Sequence, residues 1–131
     1  MRSRHLSCVI SAPAEAVYAF AGDPDNLPTW SAGLAQSVVS RQGDVLTVDS
    51  PMGEVTVRFV PHNDYGVLDH DVTLPSGTTV TNPFRVVTHP EGSEVVFTVR
   101  QLDMSDEEFE GDCRQVSADL HRLKELLEAA P

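Results

Sequence analysis

From residue 36 to residue 102 apolar and polar positions alternate with a period of two, interrupted only by short clusters rich in Pro, Gly, Asn, Asp and Ser. Side chains two apart share one face of a strand, so the pattern predicts strands over 36–41, 45–49, 54–60, 66–74, 78–89 and 93–102. The breaks, such as Gln42-Gly43-Asp44, Pro75-Ser76-Gly77 and Pro90-Glu91-Gly92, are turn chemistry and too short for crossovers. Consecutive strands so connected form an antiparallel meander. An earlier strand over 4–10 alternates Leu6, Cys8 and Ile10 against His5, Ser7 and Val9. Pro83 lacks an N–H for the ladder, which predicts a bulge or an exposed edge at Asn82-Pro83.

Helical signals flank this block. Pro13 at a first helical position opens a helix over 13–21, and Gly22 closes it. Asp23-Pro24 starts a second, very short helix that ends near Trp30, with Pro28 holding it to about one turn. The last element opens on a capping box, Ser105 with Glu108, and Asp106 and Glu107 suit the positive end of its dipole. Phe109, Cys113, Val116, Leu120, Leu123 and Leu127 then recur at spacings of three and four. Glu110, Arg114, Asp119, Arg122 and Glu125 fall on the opposite face, which reads as solvated. One face of this long helix must be buried, and the sheet is what can bury it. The chain therefore reads as an α+β fold: one strand, two short helices, six strands and a long C-terminal helix, with a curved antiparallel sheet of about seven strands around that helix.

With 131 residues, 40% of them hydrophobic, the chain suits a single domain over 1–131 with a core of its own. Lys and Arg number 9 against 20 Asp and Glu, a formal charge of -11. That excess repels phosphate backbones and anionic lipid surfaces, so nucleic acid is not an expected partner. Charged residues interrupt every apolar run before it reaches the length of a membrane span, and the N-terminus has no signal-peptide pattern. No membrane insertion and a cytoplasmic location are expected. Cys8 and Cys113 stand in no metal or redox spacing and read as buried thiols.

The stretch Ile10-Ser11-Ala12-Pro13-Ala14-Glu15-Ala16-Val17-Tyr18-Ala19-Phe20, followed by Asp23-Pro24-Asp25-Asn26-Leu27-Pro28-Thr29-Trp30, resembles the opening of the SRPBCC superfamily. That group includes the START and birch-pollen-allergen-like helix-grip proteins. Gly66-Val67-Leu68-Asp69-His70-Asp71-Val72 and Met104-Ser105-Asp106-Glu107-Glu108-Phe109 are similar to its small bacterial polyketide cyclase/dehydrase-like branch. The resemblance covers essentially the whole chain. It implies a helix-grip fold with a ligand space between the sheet and the long helix. It leaves function open, because this fold hosts carriers, receptors, cyclases and chaperone activators.

Within that frame the alternation places Val55, Val57 and Phe59, then Leu68, His70, Val72 and Leu74, on the inner face. Val80, Asn82, Phe84 and Val86, and Val95, Phe97, Val99 and Gln101, follow on the later strands. Candidate ligand contacts are Trp30, Phe59, His70, Asn82, Phe84, Phe97, Gln101, Phe109 and Cys113. A lone inward histidine is commonly a hydrogen-bonded core residue, Asn82 can instead satisfy backbone at a bulge, and Gln101 can reach solvent. Asp69-His70-Asp71 forms no relay, because neighbours on a strand face opposite ways. No catalytic set, metal-ligand spacing or cofactor motif is present, and no cofactor or metal is expected. Three readings follow. The first is a binder of a small hydrophobic molecule. The second is a cyclase/dehydrase-like enzyme with His70 as proton shuttle. The third is a ligand-free interaction module or homodimer using outward Val9, Val67, Val87 and Val96.

Overall fold

A computed structural model describes residues 1–129. Its elements run β1 (Ser3–Ile10), α1 (Ala14–Ala21), a 3-10 turn at Pro24–Asn26, α2 (Leu27–Trp30), β2 (Ser37–Gln42), β3 (Val45–Ser50), β4 (Gly53–Phe59), β5 (His70–Thr73), β6 (Thr79–Asn82), β7 (Phe84–His89), β8 (Gly92–Arg100) and α3 (Asp106–Ala129). The strands pair antiparallel in the orders β2-β3-β4-β5-β6 and β1-β8-β7. This is the α+β helix-grip arrangement, an open antiparallel wall with one long helix against it.

There are eight strands where the sequence predicts about seven, and Pro83 is the reason. Asn82 pairs with His70 of β5, whereas Phe84 pairs with Phe97 of β8. The expected irregularity is thus a change of sheet. Proline has no N–H to lose there, and the amide freed next to it is recovered by a side chain: Phe84 N–H donates to Asp69 Oδ1 at 2.8 Å. The same carboxylate accepts from Arg85 Nε at 2.9 Å and Nη2 at 2.8 Å. Both bonds hold it below the ordinary Asp range.

The predicted strand 66–74 divides at the same corner. Leu68 N–H donates to Phe84 O and Val86 N–H to Gly66 O, each at 2.8 Å, so residues 66–68 run beside β7. Only His70–Thr73 lies between β4 and β6. Two neighbouring segments therefore turn from one sheet to the other together, and this bends the wall around α3.

The helix starts as its sequence signal requires. Ser105 Oγ accepts from Glu108 N–H at 3.1 Å, and Glu108 Oε1 accepts from Ser105 N–H at 3.0 Å. Arg4 of β1 grips Glu110 with two bonds of 2.7 and 2.8 Å, which brings that carboxyl down to about 2. Phe109 lies beneath the guanidinium groups of Arg2 and Arg4, at 4.9 and 5.3 Å. Phe109 and Cys113 pack with Val99, and Leu120 and Leu123 join the main core of Ile10, Val17, Leu27, Val55 and Val57. Cys8 and Cys113 are free and buried, and burial pushes both thiols up. Asp119 departs from the expected solvated face: it is buried among the groups described next.

Candidate functional site: a cavity between sheet and helix

The curvature leaves a cavity of about 610 Å³ between the wall and α3. Its apolar surface comes from Val72, Val80, Phe97 and Val99 of the strands and from Val116 and Leu120 of the helix. Trp30 and Leu34 from the segment after α1 also line it, and Met52, Thr78, Leu102 and Met104 belong to the same lining. Exposure grades along it: Trp30, His70 and Leu120 are almost wholly buried, whereas Met52 is 54% and Leu102 39% exposed. The latter pair therefore marks the open side. Leu102 also adopts a left-handed backbone, φ 49°, which costs an ordinary side chain about 1 kcal/mol.

Of the residues singled out from the sequence, Trp30, His70, Asn82 and Phe97 line this cavity. Phe59, Phe84, Gln101, Phe109 and Cys113 do not. Phe59 packs on His70, with ring centroids 4.9 Å apart, outside the cavity lining. Phe84 is core, 5.7 Å from the Trp30 ring and 5.4 Å from Phe97. Gln101 turns to Met104 O and Asp106 Oδ1, tying the loop to the helix start. Phe109 and Cys113 fill the separate cluster with Val99.

His70 is 3% exposed and its Nδ1 donates to Leu68 O at 2.9 Å. That bond fixes the tautomer and leaves Nε2 as an acceptor, which Asn82 Nδ2 approaches at 3.5 Å. Burial pushes the imidazole below its ordinary value, outweighing the Leu68 bond and the charges of Asp69 and Asp71. A base buried in neutral form gives stability that is complete above the unfolded value of 6.5 and is lost as pH falls below it toward the folded value. Wild-type unfolding free energy should therefore fall more steeply than that of His70→Gln as the pH is lowered below 6.5. Urea midpoints on either side of that value check this, and parallel curves would refute it. Asp112 and Asp119, with raised values, act in the opposite sense and are common to both proteins.

The sequence reading missed the carboxylates of α3. Asp119 accepts from Gly33 N–H at 3.1 Å and from Gln115 Nε2 at 2.9 Å, and burial nonetheless pushes its carboxyl up. Asp112 lines the cavity two helical turns earlier; it is exposed, and partial desolvation by the surrounding protein raises its carboxyl too. Glu108, Asp112, Gln115 and Asp119 recur at spacings of three and four beside the apolar stripe, a signal that a wider helical face would have included. A methyl group on Gly33 would lie 2.5 Å from Gln115 Cγ and 2.9 Å from Asp119 Oδ2, so a larger residue there would have to displace both side chains. Among the described residues, the indole N–H of Trp30 is the one buried side-chain polar group without a partner. No group of three metal-ligating side chains occurs among them, and no helix is long and apolar enough to cross a membrane.

A bent antiparallel wall closed by one long helix over an apolar, ligand-sized cavity defines a helix-grip protein of the SRPBCC-like kind. The chain belongs to the polyketide cyclase/dehydrase and lipid transport family, whose model matches residues 1–128. Similar solved structures include XoxI from Bacillus cereus, at 20% identity over 98% of this chain and 97% of that one, with TM-score 0.76. Protein MLL2253 from Mesorhizobium loti is similar at 14% identity over 99% of each chain, TM-score 0.77. The Aha1 dimer from Colwellia psychrerythraea is similar at 18% identity over 98% of each chain, TM-score 0.73. At these identities the likeness concerns the fold. No curated protein matches the chain.

Proposed function

We propose that the protein binds a small hydrophobic or amphipathic molecule in the cavity between the sheet and α3. The observation that carries this reading is the cavity itself: about 610 Å³, within the range of small-molecule pockets, with a mainly aliphatic and aromatic surface and several polar and charged groups among its lining residues. Membership in a family described by lipid transport supports it. The apolar body of the ligand would lie against Val80, Phe97, Val116 and Leu120, with His70 and Asn82 at its polar contacts. Binding is preferred to proton shuttling because His70 is built as a held acceptor. Its Nε2 faces the Asn82 amide, while Asp69 and Asp71 are engaged outside by Arg85 and Thr81.

The test is titration with the neutral dye N-phenyl-1-naphthylamine. Wild type should give a saturable, one-to-one fluorescence gain. Val80→Trp, which places an indole in the cavity, should weaken it at least roughly tenfold while the thermal melt stays cooperative. Absence of saturable binding, or binding unchanged in a folded Val80→Trp protein, overturns the reading.

A further inference from the structure

The chain has one tryptophan, and the fold seats it at the cavity. Trp30 ends α2 and is 4% exposed, with its ring 5.7 Å from that of Phe84. Its indole N–H makes no hydrogen bond to any described residue. An indole nitrogen donates and cannot accept, so burial leaves it with a desolvation cost that one oxygen would remove. Buried tryptophans ordinarily place that N–H on a partner, and here the protein supplies none. The cavity is unfilled space that the residue borders, and a small tilt of the ring toward it brings the N–H to an oxygen held there.

The surroundings decide what kind of oxygen. A water held there would need roughly two to four polar partners, and Phe97, Val116 and Leu120 of the same lining offer none. A carboxylate would accept the bond, but Asp103, Glu108, Asp112 and Asp119 line the cavity against the guanidinium of Arg100. With a formal charge of -11 on the whole chain, that field disfavours an anion and tolerates a neutral dipole. The other buried groups do not compete for the role of donor. His70 commits Nδ1 to Leu68 O and presents a lone pair at Nε2, toward which the Asn82 amide leans at 3.5 Å.

We infer that the cavity selects an uncharged hydrophobic carbonyl compound, a ketone or an ester, and that Trp30 is the residue that recognises its oxygen. This rests on the binding function proposed above and names the ligand class it serves. A carbonyl oxygen asks for one donor, carries no proton that needs an acceptor of its own, and brings no charge into the apolar wall.

Octan-2-one and 2-methyl-1-octene share one shape, the alkene carrying a methylene where the ketone carries oxygen, and octanoate supplies the anion. Each is used to displace the neutral dye. Trp30→Phe should raise the ketone concentration required by roughly tenfold and leave that of the alkene within roughly twofold. On wild type, octanoate should compete less well than the ketone. The infrared carbonyl band of bound octan-2-one is a second readout, because a hydrogen bond moves it to lower frequency. It should lie lower in wild type than in Trp30→Phe. Trp30→3-benzothienylalanine, made by semisynthesis, keeps the bicyclic shape and exchanges N–H for sulfur, so it gives the same comparison if Trp30→Phe does not melt cooperatively. Equal losses for ketone and alkene, an unmoved band, or octanoate competing as well as the ketone overturns this inference alone, since dye binding persists. A wild type that binds neither dye nor probes removes the binding function with it.

Discussion

Phe84→Ala is expected to lower the unfolding free energy by about 3–5 kcal/mol, a large share of the roughly 5–15 kcal/mol typical of a domain. Phe84 is 1% exposed and sits at the first position after the proline corner. Its ring touches Trp30 and Phe97, which both line the cavity. Truncation therefore removes buried apolar surface and leaves a hole where the two sheets meet. Phe84→Leu, which retains most of the volume, should cost roughly 1.5 kcal/mol. Urea denaturation of the three proteins measures both values. Equal midpoints for Phe84→Ala and wild type would show that the corner is not part of the cooperative core.

Gly66→Ala should cost about 3 kcal/mol or more, through the backbone rather than through lost burial. Gly66 has φ +71°, and an added Cβ would lie 2.1 Å from Val86 O. The Gly66 carbonyl also receives the Val86 amide, so the strands cannot separate to make room without losing that bond. The left-handed conformation accounts for about 1–2 kcal/mol, and the clash with its broken pairing for the rest. Gly43→Ala is the control, since Gly43 shares a positive φ, +61°, but has nothing within 4 Å of an added Cβ. Its cost should stay near the conformational share alone. Thermal melts that placed both variants together would remove the close approach as the cause.

The two predictions concern the same corner, and the sequence disclosed only part of it. Alternation located the later strands well, and Pro83 correctly marked an interruption. What it could not convey is that the chain resumes pairing on a different partner, because that depends on Asp69, a residue fourteen or more positions away in the chain, supplying the missing acceptor. The inner face was legible where side chains alternate strictly, as at Val72, Val80, Phe97 and Val99. It failed for Phe59 and Phe84, since facing inward and bordering a cavity are different conditions, and close packing consumes most inward positions. Asp119 was unreadable for a related reason. A carboxylate on a helix defaults to the solvated side, and the Gly33 amide that accommodates it comes from a distant loop. Trp30 at the cavity was anticipated by the family resemblance rather than by periodicity.

The contacts between α3 and the rest of the molecule join residues at opposite ends of the chain: Arg4 to Glu110, and Gly33 to Asp119. Loop closure over such distances is entropically costly, which slows the formation of such contacts. During synthesis the strands emerge before the helix that covers them, so their apolar concave surface waits uncovered until residues beyond Leu120 have left the ribosome. The cavity between sheet and helix is complete only once that helix has docked. A hydrophobic compound present at that moment would act on the folding chain as well as on the folded protein, raising the yield of native molecules rather than only occupying them.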